Sequence, residues 1–190
     1  MYTLYIDTHF VKLVLAVLKD GKLILKKEME SDHQAEYTVS LLEELLNDLN
    51  LVPEDLNQIV VISGPGSFTG VRIGVVIAKM IGYTLNIPIK ALTYLEAIDL
   101  LYHEDVVLGI KDRNGAFIGE FNKNHELLKD YYYLSNQELK IVNQTVLFDD
   151  KIDLEKVIEY VKDKENIQPH LLKPLYVKKI EVEKWLEKLH

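Results

Sequence analysis

The sequence predicts an α/β fold. Three observations carry that expectation: three closely spaced β-forming runs open the chain, strand and helix patterns then alternate, and the composition is that of a globular chain, with 48% hydrophobic and 27% charged residues. With 190 residues the chain has room for one domain or two small lobes.

Tyr2 to Ile6 and Val11 to Leu18 are short apolar runs rich in β-formers. Asp20-Gly21, between Val11 to Lys19 and Lys22 to Glu30, reads as a two-residue hairpin turn, so three strands form a meander. From Gln34 to Asn50 the period changes. Leu42, Leu45, Leu46 and Leu49 fall at helical spacing with Leu41 widening the stripe, while Glu43, Glu44 and Asp48 lie on the wet side. Pro53 to Asp55 is a turn, and Ile59 to Ile62 is an unbroken apolar strand of the kind covered on both faces. The glycine-rich loop Gly64 to Gly70 leads into a second helix from about Val71 to Leu85. Pro88-Ile89 begins a further strand, and a third helix lies near Thr93 to Tyr102. Val106 to Ile110 and Ala116 to Phe121 pair around the Asp112 to Gly115 turn, and Tyr131 to Leu134 is a further strand. Ile152 to Lys164 is an amphipathic helix, Pro169 and Pro174 punctuate an extended connection, and Glu181 to Leu189 reads as a terminal helix. Two lobes are expected, 1–103 and 104–190. The acidic excess is shared between them and does not mark the boundary.

The charge balance restricts the partners. A formal net charge of −8 repels phosphate backbones, so autonomous nucleic-acid binding is not expected. No cysteine occurs, which removes disulfides, thiolate nucleophiles and cysteine-based metal sites. Met1 is not followed by a signal-peptide pattern, and no apolar run approaches the roughly 18 to 20 residues that span a bilayer, so a cytoplasmic protein without a membrane role is expected.

Gly64-Pro65-Gly66-Ser67-Phe68-Thr69-Gly70 is the most specific local feature. Three glycines and a proline between a buried strand and a helix let backbone N–H groups approach a phosphate. No Lys-Ser or Lys-Thr pair follows Gly70, and a dinucleotide fingerprint starting at Gly64 would need glycine at Thr69, so neither nucleotide motif is complete. The other reading is a tight turn with Thr69 capping the helix. Asp7, followed by Thr8 at the end of the first strand, is where open α/β sheets carry functional groups. In an actin-like ATPase that aspartate would organise a metal and a water, with a second acidic phosphate turn opposite. Asp112 to Gly115 stands at about that point and reads as a plain hairpin. The histidines form no zincin or facial-triad spacing, and Ser31, Ser63 and Ser67 sit in no nucleophile elbow, so neither metal nor nucleophilic catalysis is indicated.

The second helix is apolar nearly all round, with only Arg72 and Lys79 charged. Such a helix is either central to a core or covered on its outer side by a partner, and Tyr37, Val39 and Leu41 of the first helix extend the same surface.

Ile6-Asp7-Thr8, His33 before the first helix, the run Gly64 to Gly74, Ala78-Lys79 and Ile87-Pro88 together resemble the TsaB (YeaZ) family of bacterial tRNA threonylcarbamoyladenosine biosynthesis proteins. Lys111-Asp112-Arg113 and Pro174 to Val177 resemble weaker signposts of the same family. The resemblance implies a two-lobed actin-like ATPase fold (ASKHA, RNase H-like), with mixed sheets flanked by helices, that has lost its own active site. It implies a non-catalytic subunit that pairs with and activates the TsaD transferase, with no cofactor of its own. ATP and a divalent metal would be held by partner subunits, the ATPase TsaE would bind the heterodimer, and tRNA would be met only within the complex. The interface it implies lies on the first two helices, at Tyr37, Leu41, Glu44, Arg72, Val75, Val76 and Lys79, and can also form a homodimer. Asp7 and Thr8 would be a vestigial phosphate motif. The family usually has serine where this chain has His9 and Gln34, which detaches any role of those hydroxyls from this chain. The competing reading is a stand-alone ATP-dependent enzyme using Asp7 and the Gly64 to Gly70 loop.

Overall fold

β1 (Tyr2–Asp7), β2 (Lys12–Lys19) and β3 (Lys22–Glu30) form the antiparallel meander, and the β2–β3 turn holds Asp20 at φ 50° and Gly21 at φ 81°, the left-handed pair of a type I′ hairpin. The structure is a computed structural model that describes residues 1–31 and 34–178. His33 and the helix expected over Glu181 to Leu189 lie outside the described residues.

After α1 (Gln34–Asp48) and a 3-10 turn at Pro53–Asp55, β4 (Leu56–Ile62) pairs parallel to β1. Then α2 (Phe68–Leu85) crosses to β5 (Ile89–Leu92), which is parallel to β4, giving a mixed sheet of order β3-β2-β1-β4-β5. Thr93 caps α3 (Tyr94–Asp99) through a reciprocal box with Glu96. A second, antiparallel sheet follows from β6 (Val106–Asp112), β7 (Gly115–Phe121) and β8 (Tyr132–Ser135), with Asp112 opposite Gly115 across a plain hairpin turn. The helical turn α4 (Glu138–Ile141), absent from the sequence pattern, and α5 (Leu154–Val161) complete the described elements.

The strands β1, β2 and β4 of the first sheet are buried on both faces, and their period of two assigns each residue to one core. Leu4 and Ile6 of β1, Leu13, Leu15 and Val17 of β2, and Ile59 and Val61 of β4 pack under Leu41, Leu45 and Leu46 of α1 and Val71, Val75 and Ala78 of α2. The intervening Tyr5, Ala16, Val60 and Ile62 pack under α3, the second sheet and Val157, Ile158 and Val161 of α5. Two buried layers therefore flank one sheet, and α1 and α2 form the outer layer on their side.

α2 corrects one expectation: by length and composition it is apolar enough to cross a membrane. In the fold it lies on the sheet with Gly70, Val71, Gly74, Val75, Ala78 and Gly82 buried. The row of small residues at Gly70, Gly74, Ala78 and Gly82 is what lets it lie so close. A β-carbon at Gly74 would come 2.5 Å from Thr8 Oγ1, and one at Gly82 would come 2.5 Å from Ile89 Cδ1.

Candidate functional site

Parallel pairing of β1 with β4 sets their carboxyl ends side by side, which brings Asp7-Thr8-His9 against the loop from Ser63 to Gly70. Thr8 is fully buried. Its Oγ1 donates to the Gly70 carbonyl at 2.6 Å and accepts from the Gly74 N–H at 3.0 Å, so the hydroxyl fastens the first turns of α2 to the end of β1. Gly66 is pressed on the next residue: the Ser67 N–H donates to the His9 carbonyl at 2.6 Å, and a β-carbon at Gly66 would stand 2.2 Å from that oxygen. Gly64 has φ 120°, a conformation open to glycine, and precedes a cis peptide bond to Pro65. The cap of α2 is Ser67, whose side chain accepts from the Gly70 N–H at 2.9 Å, and not Thr69, which is exposed in the first turn. The glycines of this loop serve close packing of the chain on itself.

Asp7 is equally engaged. Its Oδ1 accepts from the backbone N–H of His9 at 3.1 Å and lies 2.6 Å from His9 Nδ1, while Tyr5 Oη approaches Oδ2 at 3.5 Å. The His9 ring stacks on Tyr94 with centroids 3.8 Å apart, so histidine covers the carboxylate from the side of the inter-sheet cleft. Burial pushes the Tyr5 hydroxyl far above its usual range, and the charge of Asp7 adds to the shift. A cavity of about 570 Å³ opens beyond this pair, lined by Lys12, Lys26 and Glu28 on one wall and by Asp150 to Glu155 on the other. Its polar walls are internally paired: Glu28 takes both Lys12 and Lys26, and Glu155 takes Lys22 at 2.6 Å. Asp7 itself lines this cavity, with Oδ1 engaged by His9 and Oδ2 met, among the described residues, only by the distant Tyr5 hydroxyl. Among the described residues no three His, Asp or Glu side chains gather as metal ligands would.

The outer surface of α1 and α2 is a different kind of site. Val76, Met80 and Tyr83 are 51%, 64% and 81% exposed, and with Phe68 they line one side of α2; Tyr37 and Val39 on α1 are also exposed. Two residues expected at this interface are elsewhere. Leu41 and Val75 are 6% and 2% exposed and belong to the core between helices and sheet, Leu41 on the Leu45 side of α1 and Val75 on the small-residue side of α2. Glu44 is exposed and pairs with Lys27, which also takes Asp48, and Lys79 Nζ donates to the Leu172 carbonyl at 3.3 Å. Arg72 is exposed. Its guanidinium lies 3.6 Å over the Phe68 ring, and its Nε donates to Tyr176 Oη at 2.6 Å. Met80 and Tyr83 are not among the residues expected at the interface, although they follow Val76 at helical spacing, four and seven residues on.

A curated protein named tRNA threonylcarbamoyladenosine biosynthesis protein TsaB, from Bacillus subtilis, is 40% identical to this chain over 100 residues, 52% of this chain and 43% of the relative. Over that half of its length the chain is similar to the TsaB (YeaZ) family. A Buchnera aphidicola protein of the same name is 28% identical over 66% of this chain and 62% of its own length, so the chain matches less than two thirds of either relative. Residues 27–110 match the family model described as "TsaD: tRNA N6-adenosine threonylcarbamoyltransferase", and a Bacillus subtilis protein named tRNA N6-adenosine threonylcarbamoyltransferase is 27% identical over half of this chain and 32% of itself. The solved structure of YeaZ from Pseudomonas aeruginosa superposes with a TM-score of 0.77 at 18% identity, covering 92% of this chain and 99% of that one. The α/β fold with two sheets flanked by helices, expected from the sequence, is the fold of this chain; its first sheet is mixed and its second antiparallel.

Proposed function

We propose that this chain takes part in threonylcarbamoyladenosine formation on tRNA as a non-catalytic subunit, docking on a TsaD transferase through the outer faces of α1 and α2. The observation that carries the reading is the exposed apolar row Val76, Met80 and Tyr83, continued by Tyr37 and Val39, on the lobe that a TsaD family model also matches. A partner built on a similar lobe offers two helices of similar length and spacing, so the two outer layers can close into one helical bundle. The internally paired Asp7, covered by His9, supports a subunit that leaves nucleotide and metal to others. ATP, a divalent cation, the ATPase TsaE and tRNA then enter through the assembled complex, and a homodimer through the same helices is the alternative use of the surface.

The test is co-purification of this chain with TsaD of the same organism, followed by threonylcarbamoyl transfer to tRNA in the presence of TsaE and ATP, with and without this chain. Pairing and dependent transfer support the reading. Magnesium-dependent ATP hydrolysis by this chain alone, without pairing, would replace it with the ATP-dependent enzyme.

A further inference from the structure

Arg72 is one of only two arginines in the chain, and it is held in an unusual way for a surface arginine. Its guanidinium carbon lies 3.6 Å over the Phe68 ring and 5.6 Å from the Tyr176 centroid, the two rings being 5.0 Å apart, and its Nε donates to Tyr176 Oη at 2.6 Å. One edge of the fork is thus fixed, and among the described residues no carboxylate forms an ion pair with the guanidinium. The residues that fix it come from two distant parts of the chain. Phe68 is the first residue of α2, one turn before Arg72. Tyr176 belongs to an extended segment that runs beside α2, where Lys79 donates to the Leu172 carbonyl, the Leu175 N–H donates to the Ser63 carbonyl at 2.7 Å, and Lys178 pairs with Asp112 at 2.9 Å. Phe68 and Tyr176 are themselves 41% and 47% exposed, and the row Val76, Met80, Tyr83 begins one turn beyond Arg72.

An arginine side chain on a water-facing helix normally samples many rotamers, and ordering it on binding costs affinity. Here that ordering is complete before any partner arrives. A planar fork with its terminal N–H groups free suits the two oxygens of a carboxylate, which it can take bidentately. We infer that Arg72, clamped by Phe68 and Tyr176, is the charged anchor of the apolar α2 surface and receives one Asp or Glu carboxylate of the docking subunit. The inference rests on the docking reading above and makes residues 172–176 part of that surface, since Tyr176 is a positioning residue for the fork. The acidic character of the chain sharpens the assignment: α1 carries Glu36, Glu43, Glu44 and Asp48 and no basic residue, so Arg72 and Lys79 are the cations of the two-helix face.

Affinity for TsaD of the same organism, measured by calorimetry at low and high salt, tests this with Arg72→Gln, Arg72→Lys, Tyr176→Ala and Val76→Glu, each checked for an unchanged melt. Arg72→Gln is expected to weaken binding about tenfold or more and to flatten the salt dependence, with Arg72→Lys within about threefold of it because an ammonium cannot be held in the same fork. Tyr176→Ala, which frees the fork without removing its charge, should weaken binding about threefold to fivefold and keep the salt dependence. Replacing partner carboxylates one at a time should identify one whose loss adds little to that of Arg72→Gln. Wild-type affinity for folded Arg72→Gln, or additive losses for every partner carboxylate, overturns the anchor. Wild-type affinity for Val76→Glu, or no binding by the wild type, overturns the docking reading beneath it. Loss of binding with Val76→Glu alone leaves that reading standing without the anchor.

Discussion

Thr8 separates a packing role from a phosphate-binding role for the motif at the end of β1. Its hydroxyl is fully buried and makes two hydrogen bonds, to the Gly70 carbonyl at 2.6 Å and from the Gly74 N–H at 3.0 Å. Thr8→Val keeps the shape and removes both. At about 1 kcal/mol net for each bond, and with a carbonyl and an N–H left against a methyl group, the loss comes to about 2 to 3 kcal/mol. For a domain of this size that is a fall in Tm of about 5 to 10 °C. Thr8→Ser keeps the hydroxyl and loses one methyl group, so about 1 kcal/mol and a smaller fall are expected. The assay is thermal and urea unfolding followed by circular dichroism, repeated with ADP and magnesium. A packing hydroxyl predicts the order wild type, Thr8→Ser, Thr8→Val, with no nucleotide effect on any of them. A Thr8→Val protein that melts with the wild type, or a nucleotide-induced rise in Tm that Thr8→Val abolishes, would refute the packing argument and restore Thr8 as a phosphate ligand.

Neighbouring valines on α2 should part company: Val75→Ala, in the core, costs about 2 to 3 kcal/mol in urea unfolding, whereas Val76→Ala, 51% exposed, costs under about 1 kcal/mol and shows its effect in TsaD binding instead. Gly66→Ala sets a β-carbon 2.2 Å from the His9 carbonyl oxygen, so the loop or the β1–β2 connection must move, and a loss of about 2 to 3 kcal/mol or insoluble expression is expected. Asp99 tests the pH dependence. Burial raises its carboxyl above the usual range although His125 Nδ1, 2.7 Å from Oδ2, pulls the other way, nearby Glu96 adds to the rise, and Oδ1 has no hydrogen-bond partner. A carboxyl whose folded pKa is raised gives its stability in full below the unfolded value, about 3.9, and loses it as pH rises through the folded one. Asp99→Asn never ionises, so its Tm relative to wild type should rise between that range and neutral pH; a gap that does not change with pH would show that burial of the charge is already compensated.

The opening meander was legible because its signals are local. Alternation in β1 and β2 and the Asp20-Gly21 pair fix strands, turn and register within thirty residues, and the structure places them within a residue of the expected bounds. Choosing the cap of α2 needed more than local chemistry. Ser67 and Thr69 are both able caps, and what selects Ser67 is the Gly66 backbone pressed on His9, a contact between residues far apart in sequence. The phase of α2 was the costlier miss. An all-apolar helix shows no stripe, so Val75 and Val76 looked alike; yet Gly70, Gly74, Ala78 and Gly82 recur every four residues and mark the side that a sheet can approach most closely. That row sends Val75 inward and leaves Val76, Met80 and Tyr83 outside. The Arg72 clamp could not be read at all, because its second ring arrives 104 residues later.

Asp7-Thr8 and the glycine loop occupy the place where strand ends in an open α/β sheet meet a ligand. In this chain the place is filled from within. His9 engages Asp7 Oδ1 through its backbone N–H and its ring Nδ1, Thr8 spends its hydroxyl on α2, and Gly66 lies on the His9 carbonyl where an anion would need open N–H groups. Each contact has the same mechanical result, which is to lock α2 to the sheet along its small-residue side. A helix fixed so firmly on one side presents the other in a single orientation, with Arg72 already ordered, and a rigid face loses less entropy on docking than a loose one. Packing that closes the strand-end site is therefore the same packing that builds the α2 surface. Thr8→Val should accordingly weaken TsaD binding as well as lower Tm, although Thr8 lies under the helix and touches no partner; binding unchanged in a variant that melts several degrees lower would separate the two effects and leave the motif with stability alone.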